Sequence, residues 1–220
     1  MRKIILCSSM AFLIIGCSPK IDRLTAYPNL YEEKPLSIIV MPPINKSTKV
    51  EAKTSFYNTL TMPLAESGYY AFPASISMLF WKEQSAYDAE LLIDKPMGVL
   101  NEMLGADAVL FTTIHSWRKV ALTSSVEVEI EYLLKGTLSD EILYQRKGLL
   151  TVQSSSNTGS ALADLATNVI KTALTKEVDV AQKCNEYTFQ DMPRGKYSPL
   201  FGKDGTSGAG KKEFSVTVTQ

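Results

Sequence analysis

An α/β fold, a mixed sheet with helices packed on it as a sandwich, follows from three observations in this 220-residue sequence. Leu36 to Met41 is a short unbroken apolar run closed by Pro42-Pro43, the pattern of a strand buried on both faces. Glu51 to Ser67 then changes to helical spacing. Beyond Ala106 the period drops to two, as in an antiparallel meander. Composition agrees: 45% of residues are apolar and 21% charged, the proportions of an ordinary globular chain rather than a disordered or polytopic one.

Taken in order, the polar stretch Asn45 to Thr48 is a loop between that first, central strand and its helix. In Glu51–Ser67, Phe56, Leu60 and Leu64 recur every four residues and Gly68 ends the run. Pro63 removes a backbone donor from within it, which predicts a kink near Thr59 to Met62. Tyr69 to Phe72 is a second strand closed by Pro73, and strand alternation sends Tyr69 and Tyr70 to opposite sides. A helix from about Ser75 to Gln84 follows, with Ile76, Leu79 and Phe80 inward and Trp81 near its end. Tyr87 to Asp94 fits neither period. Pro96 opens a helix carrying Val99, Leu100, Met103 and Leu104, stopped by Gly105.

Ala106 to Val120 reads as one long strand. In Ser125 to Leu134, Val126, Val128, Ile130, Tyr132 and Leu134 face one way, while Glu127, Glu129, Glu131 and Lys135 face the other. That alternation marks a half-exposed antiparallel strand. Glu141 to Val152 is the third strand of the meander, after a turn near Ser139-Asp140. Ser154 to Ser160 is a polar loop, and Ala161 to Val178 is amphipathic with Leu162, Leu165, Val169, Ile170 and Leu174 on one side. From Asn185 the pattern dissolves into an extended, glycine-rich tail. Phe214 to Thr219 alternates like a strand; it is either disordered or adds to a sheet edge in this chain or a partner.

The amino terminus has the marks of an export leader. Arg2 and Lys3 precede an apolar run from Ile4 to Ile15, too short to span a bilayer that needs about 20 residues but suited to a signal peptide. It ends in Ile14-Ile15-Gly16-Cys17, which resembles the bacterial lipobox. That resemblance implies cleavage between Gly16 and Cys17, diacylglyceryl transfer to the Cys17 thiol and acylation, as by palmitate, of the new amine. Three acyl chains make a permanent anchor where one would be marginal. An uncleaved signal anchor, or a secreted protein with a chance cysteine, are the other readings. Ser18 follows Cys17 in place of the aspartate associated with inner-membrane retention, so the periplasmic face of the outer membrane is expected, with surface exposure left open. The organisation is then a leader over 1–16, a lipidated tether over 17–34 rich in Pro19, Pro28 and Pro35, an α/β domain over 35–184 and a tail over 185–220.

Loss of Arg2 and Lys3 leaves 21 basic against 23 acidic residues, with no basic footprint for nucleic acid. Cys7 leaves with the leader, so Cys184 is the lone mature thiol, either buried and inert or paired between subunits. His115 is the single histidine, set in mid-strand without a Ser, Cys or Asp motif, and reads as structural. Glu127, Glu129 and Glu131 project from one flat face without the loop geometry of a calcium cage; they are a solvated face or a docking surface for a basic partner. Gly202 to Gly210 lacks the spacing of a phosphate loop, and Asp107 at a strand start reads as a turn cap. No catalytic residue, metal ligand or cofactor is expected, and the chain is not expected to be an enzyme.

Three stretches carry a family resemblance: Pro63-Leu64-Ala65-Glu66-Ser67-Gly68-Tyr69-Tyr70 with Pro73, then Gly105-Ala106-Asp107-Ala108-Val109-Leu110, and the tail around Pro193, Gly195, Tyr197 and Pro199. Together they resemble a family of bacterial envelope lipoproteins of unknown function, one member of which was studied as a meningococcal vaccine candidate. Two departures are Ser198, where the family pattern implies a histidine, and Ser139-Asp140-Glu141, where it implies aspartate, glycine and tryptophan. More distantly the chain is similar to the TolB amino-terminal domain, to the curli export lipoprotein CsgG and to the cell-wall synthase activator LpoB. The resemblance implies a non-enzymatic role as accessory or assembly factor for a CsgG-like export complex, with other envelope lipoproteins as partners and an oligomer or ring as an assembly. The other reading it implies is an activator of a peptidoglycan synthase.

Overall fold

The first element of the fold lies inside the stretch expected to be a free tether. A computed structural model describes residues 21–153 and 176–219, and there α1 (Arg23–Ala26) and α2 (Pro28–Glu33) are short helices. Asp22 caps α1 by accepting the Thr25 N–H, and Pro28 sits in the first turn of α2, where its missing donor costs nothing. Tyr27 and Leu30 are buried in the core. The prolines that suggested an extended linker instead punctuate two helical turns, and Tyr27 with Leu30 supplies the apolar face that docks them. The expected tether over 17–34 is therefore corrected from Ile21 onward.

One seven-stranded sheet organises the rest. Its strands are β1 (Ser37–Val40), β2 (Ile44–Asn45), β3 (Tyr70–Ala71), β4 (Ala108–Val120), β5 (Ser125–Gly136), β6 (Ile142–Gln153) and β7 (Glu213–Thr219). The order is β3-β1-β4-β5-β6-β7, with β2 paired to β4. Strands β1, β3, β2 and β4 run parallel, β4-β5-β6 is the antiparallel meander, and β7 lies parallel to β6. The expected α/β class and meander are both present, and β1 is buried throughout and flanked on both sides. Gly105 adopts a left-handed conformation and ends the helix before β4, as a glycine after a helix commonly does.

The helices are α3 (Ala52–Thr59), α4 (Thr61–Glu66), α5 (Ala74–Glu83), α6 (Gly98–Leu104) and α7 (Glu177–Phe189). The kink expected at Pro63 appears as the break at Leu60 between α3 and α4. Residues from α2, α3, α4 and α7 pack with Leu110, Ile114, Val128, Ile130, Tyr132 and Leu150 into the larger core on one face of the sheet. A smaller core on the other face joins Ile39, Met41, Val109 and Phe111 to Trp81 and Leu100 of α5 and α6.

The inward face of α5 is a correction. Ile76 and Leu79 are exposed, while Ser77 and Trp81 are buried. The indole sets this rotation, because its Nε1–H donates to the Val40 carbonyl at 2.9 Å and pins α5 to β1. A buried indole needs such a partner, and one is available on β1. Val99 and Met103 of α6 are likewise exposed.

The tail holds a further correction: helix α7 runs to Phe189, past the point at which the pattern dissolves. Of the alternatives for Phe214 to Thr219, the structure shows addition to the sheet edge of this same chain, as β7 beside β6. The Ser154–Ser160 loop and most of the Ala161–Val178 helix expected from sequence lie outside the described residues.

Candidate functional site

Two buried carboxylates from the tail tie it to the amino-terminal helices. Asp191 accepts the Tyr27 hydroxyl at 2.5 Å and the Gly210 N–H at 2.5 Å. Arg146 of β6 stands 3.9 Å away, donates to the Thr188 carbonyl and lies over the Phe214 ring. Asp204 accepts Arg23 Nη1 at 3.0 Å, the Tyr31 hydroxyl at 3.0 Å and the Arg194 N–H at 2.9 Å. Burial first pushes the Tyr27 and Tyr31 phenols well above their ordinary range, with Tyr144 and then Asp191 adding to it at Tyr27 and Asp204 at Tyr31. Ala209 donates to the Ile21 carbonyl, and Arg23 and Leu24 donate to Ser207 and Gly205, so the backbones of the two termini are also paired. Sequence reasoning missed Asp191, Asp204 and Arg146. The 3/4 spacing of Tyr27, Leu30 and Tyr31 was the available signal, and the surrounding prolines obscured it.

The two motifs most characteristic of the resemblance meet here. Gly195 donates to the Ser67 carbonyl and Tyr197 to the Gly68 carbonyl, while the Tyr69 hydroxyl donates to the Pro193 carbonyl at 2.7 Å. Gly68 has φ of 92°, and a Cβ on Gly195 would collide with the Gly68 backbone. Both glycines are required by this close approach. A cavity of about 200 Å³ between Leu30, Tyr31, Tyr69 and Phe201 flanks the junction. In the Gly105–Leu110 motif the expected turn cap is a longer-range device: the Asp107 carboxylate accepts the Leu36 and Ser37 N–H groups at 2.9 and 3.0 Å and aligns β1 with β4.

Glu127, Glu129 and Glu131 do share the outer face of β5, opposite Val126, Val128 and Ile130. Each is already partnered: Glu127 with Arg118, Glu129 with Lys147 at 3.0 Å, and Glu131 with His115 at 3.0 Å and Gln145 at 2.9 Å. Partial burial of Glu131 opposes ionisation, but hydrogen bonds from Gln145 and His115 outweigh it and hold the carboxyl below its usual range. The face is a grid of paired charges rather than an acidic patch. His115 is the extra residue of a bulge between Ile114 and Ser116. That insertion returns Trp117 to the same core as Ile114, which simple alternation does not allow.

Cys184 is wholly buried on α7, and burial pushes its thiol up out of the reactive range. This is the inert alternative of the two expected for it. Tyr69 is buried and Tyr70 exposed, as alternation implies. Among the described residues no group of three or more His, Cys, Asp or Glu is placed to hold a metal. Gly16 and Cys17 lie outside the described residues.

A family model for GNA1162-like lipoproteins matches residues 25–197. Among curated proteins, the lipoprotein NMB1124/NMB1162 of Neisseria meningitidis serogroup B is 34% identical over 88 residues, 40% of this chain and 41% of the relative. The chain thus matches about two-fifths of the length of that relative. The crystal structure of lipoprotein GNA1162 from Neisseria meningitidis superposes with a TM-score of 0.50 at 25% identity, covering 64% of this chain and 100% of that one. The PelC dodecamer from Paraburkholderia phytofirmans is more remote, with a TM-score of 0.38 and 15% identity over 68% of this chain and 87% of that one.

Proposed function

The chain belongs to the GNA1162-like lipoprotein family, and we propose that it is anchored through Cys17 to the periplasmic face of the outer membrane, where it acts non-enzymatically as an accessory or assembly factor for a CsgG-like export complex. The observation that carries this reading is where the fold begins. Ile21 and Asp22 are already paired to the tail, so only Ser18, Pro19 and Lys20 separate the acylated cysteine from fixed structure. At ~3.6 Å per extended residue those four steps reach at most about 14 Å. A domain so held meets partners lying on the same membrane surface. It does not reach across the periplasm, as an activator of a peptidoglycan synthase would.

The outer face of the meander, with Glu127, Glu129 and Glu131, is the surface we assign to partner docking. Those three glutamates are half-exposed, and their paired charges can be exchanged for a partner's without stranding a buried ion. Crosslinking in intact cells, with recovery through a tag after Gln220, tests the reading. A CsgG-like lipoprotein of the outer membrane is the expected product. A penicillin-binding protein as the principal product would replace the reading with synthase activation.

A further inference from the structure

We propose that one face of the domain lies against the anionic lipid surface that carries the anchor, and that it is built from α1 and the tail: Ile21, Leu24, Leu200, Lys203, Lys211 and Lys212. The inference deepens the function proposed above and rests on acylation of Cys17.

The first argument is reach. Ile21 follows Cys17 by four residues, so the surface around it cannot leave the bilayer by more than the ~14 Å of extended chain. Backbone pairing places the tail at the same point: Ala209 bonds to Ile21, and Leu24 bonds to Gly205. Lys203 closes a turn on Leu200 immediately before Asp204, whose carboxylate holds Arg23.

The second argument is what this surface exposes. Ile21 is 60% exposed, Leu24 52% and Leu200 54%, although Tyr27 and Leu30 beside them are buried. Lys203, Lys211 and Lys212 are all exposed. Of the acidic residues in the same stretches, Asp191 and Asp204 are buried in the clasp, and Asp22, which caps α1, stays half-exposed. Exposed carboxylates resume only at Glu32 and Glu213. Lys203 Nζ reaches only the Pro199 carbonyl, at 3.4 Å; exposed apolar side chains with exposed lysines are what anionic headgroups and the upper acyl region recognise, and a basic patch reinforces a lipid anchor. The overall charge balance of the chain hides this, because its carboxylates lie elsewhere.

The chain's own thiols make the test clean, since Cys184 is buried and Cys17 would be acylated. The full processed protein is reconstituted into vesicles of phosphatidylethanolamine and phosphatidylglycerol, carrying Leu24→Cys, Leu200→Cys or Leu122→Cys. Leu122 is 74% exposed in the β4–β5 turn, far along the meander, and serves as the reference. With a membrane-impermeant maleimide, thiols at positions 24 and 200 should react roughly tenfold more slowly than the one at 122, the ratio given by ~90% occupancy of the apposed state. Adding Lys203→Glu, Lys211→Glu and Lys212→Glu should bring the rates together while the protein still floats with the vesicles. Equal rates at 24, 200 and 122 without the charge reversals, in protein that floats, would overturn the lipid-facing assignment and leave the anchor standing. Protein that fails to float and carries an unmodified residue 17 by mass spectrometry would instead overturn the anchor, and this face with it.

Discussion

Asp204 is a charged side chain in a region whose composition, glycine-rich and without apolar periodicity, gives no reason to expect a core. Its burial is tolerated because three donors converge on it: the Arg23 guanidinium, the Tyr31 hydroxyl and the Arg194 N–H. The pair with Arg23 is almost fully desolvated, with side chains 13% and 4% exposed. Removing one member of such a pair strands the other, which typically costs about 3–5 kcal/mol, whereas losing a single neutral hydrogen bond costs about 0.5–1.5 kcal/mol. Asp204→Ala should therefore lower the free energy of unfolding in urea by about 3–5 kcal/mol, and Tyr31→Phe by about 1 kcal/mol. If the two variants unfold at the same urea concentration, the clasp is not held by its charge. Tyr69 and Tyr70 fall where strand alternation puts them, because that placement is set by their immediate neighbours, whereas Asp107, read as a local turn cap, bonds to residues about 70 positions away. Asp204 has its role set by residues some 180 positions away, and no local pattern reports that.

At the level of elements, legibility follows the same division between local and distant causes. The alternation of β5, the break before Pro63 and the stop at Gly105 are written in periods and in proline and glycine chemistry, and they appear where expected. Helix α5 is turned because one indole finds a carbonyl on β1, a tertiary event that outvotes the apolar spacing of Ile76 and Leu79. The bulge at His115 is equally invisible, since inserting one residue in a strand changes no composition. Strand β7 shows how a weak alternation becomes an element. Phe214, Val216 and Val218 pack against the larger core while Ser215, Thr217 and Thr219 face outward. Phe214 lies directly over Gly148, its partner in register, between Arg146 and Tyr187. A Cβ at position 148 would overlap the ring. Gly148→Val should then lift β7 from the sheet, with overpacking worth about 1–3 kcal/mol. Because cleavage of an opened segment tracks its population, trypsin should cut after Lys212 about tenfold faster in the variant, tenfold being the equivalent of ~1.4 kcal/mol. An unchanged cleavage rate would mean that the ring is not what seats the strand.

For the whole molecule, the consequence of these contacts is a shift in where the fold starts. A tether running to residue 34 would let the domain range widely beneath its anchor. With Cys17 as the proposed anchor, clasping α1 and α2 to the tail leaves only four residue steps between it and Ile21. The effective concentration of a tethered domain near its anchoring surface falls roughly as the −3/2 power of tether length. Inserting about thirty Gly and Ser residues between Ser18 and Pro19 lengthens the link roughly eightfold and so dilutes the domain at the membrane by roughly 25-fold. The insertion lies outside the core and leaves the clasp intact, so stability should not change. If the protein works beside an outer-membrane complex, its crosslinking to that complex in cells should fall sharply with the insertion, and restoring the original length should recover it. If it instead reaches for a partner across the periplasm, the longer tether should leave capture unchanged or improve it, since a flexible chain of that length adds on the order of 30 Å of reach. Opposite signs from one insertion separate the two modes of action without knowledge of the partner's identity.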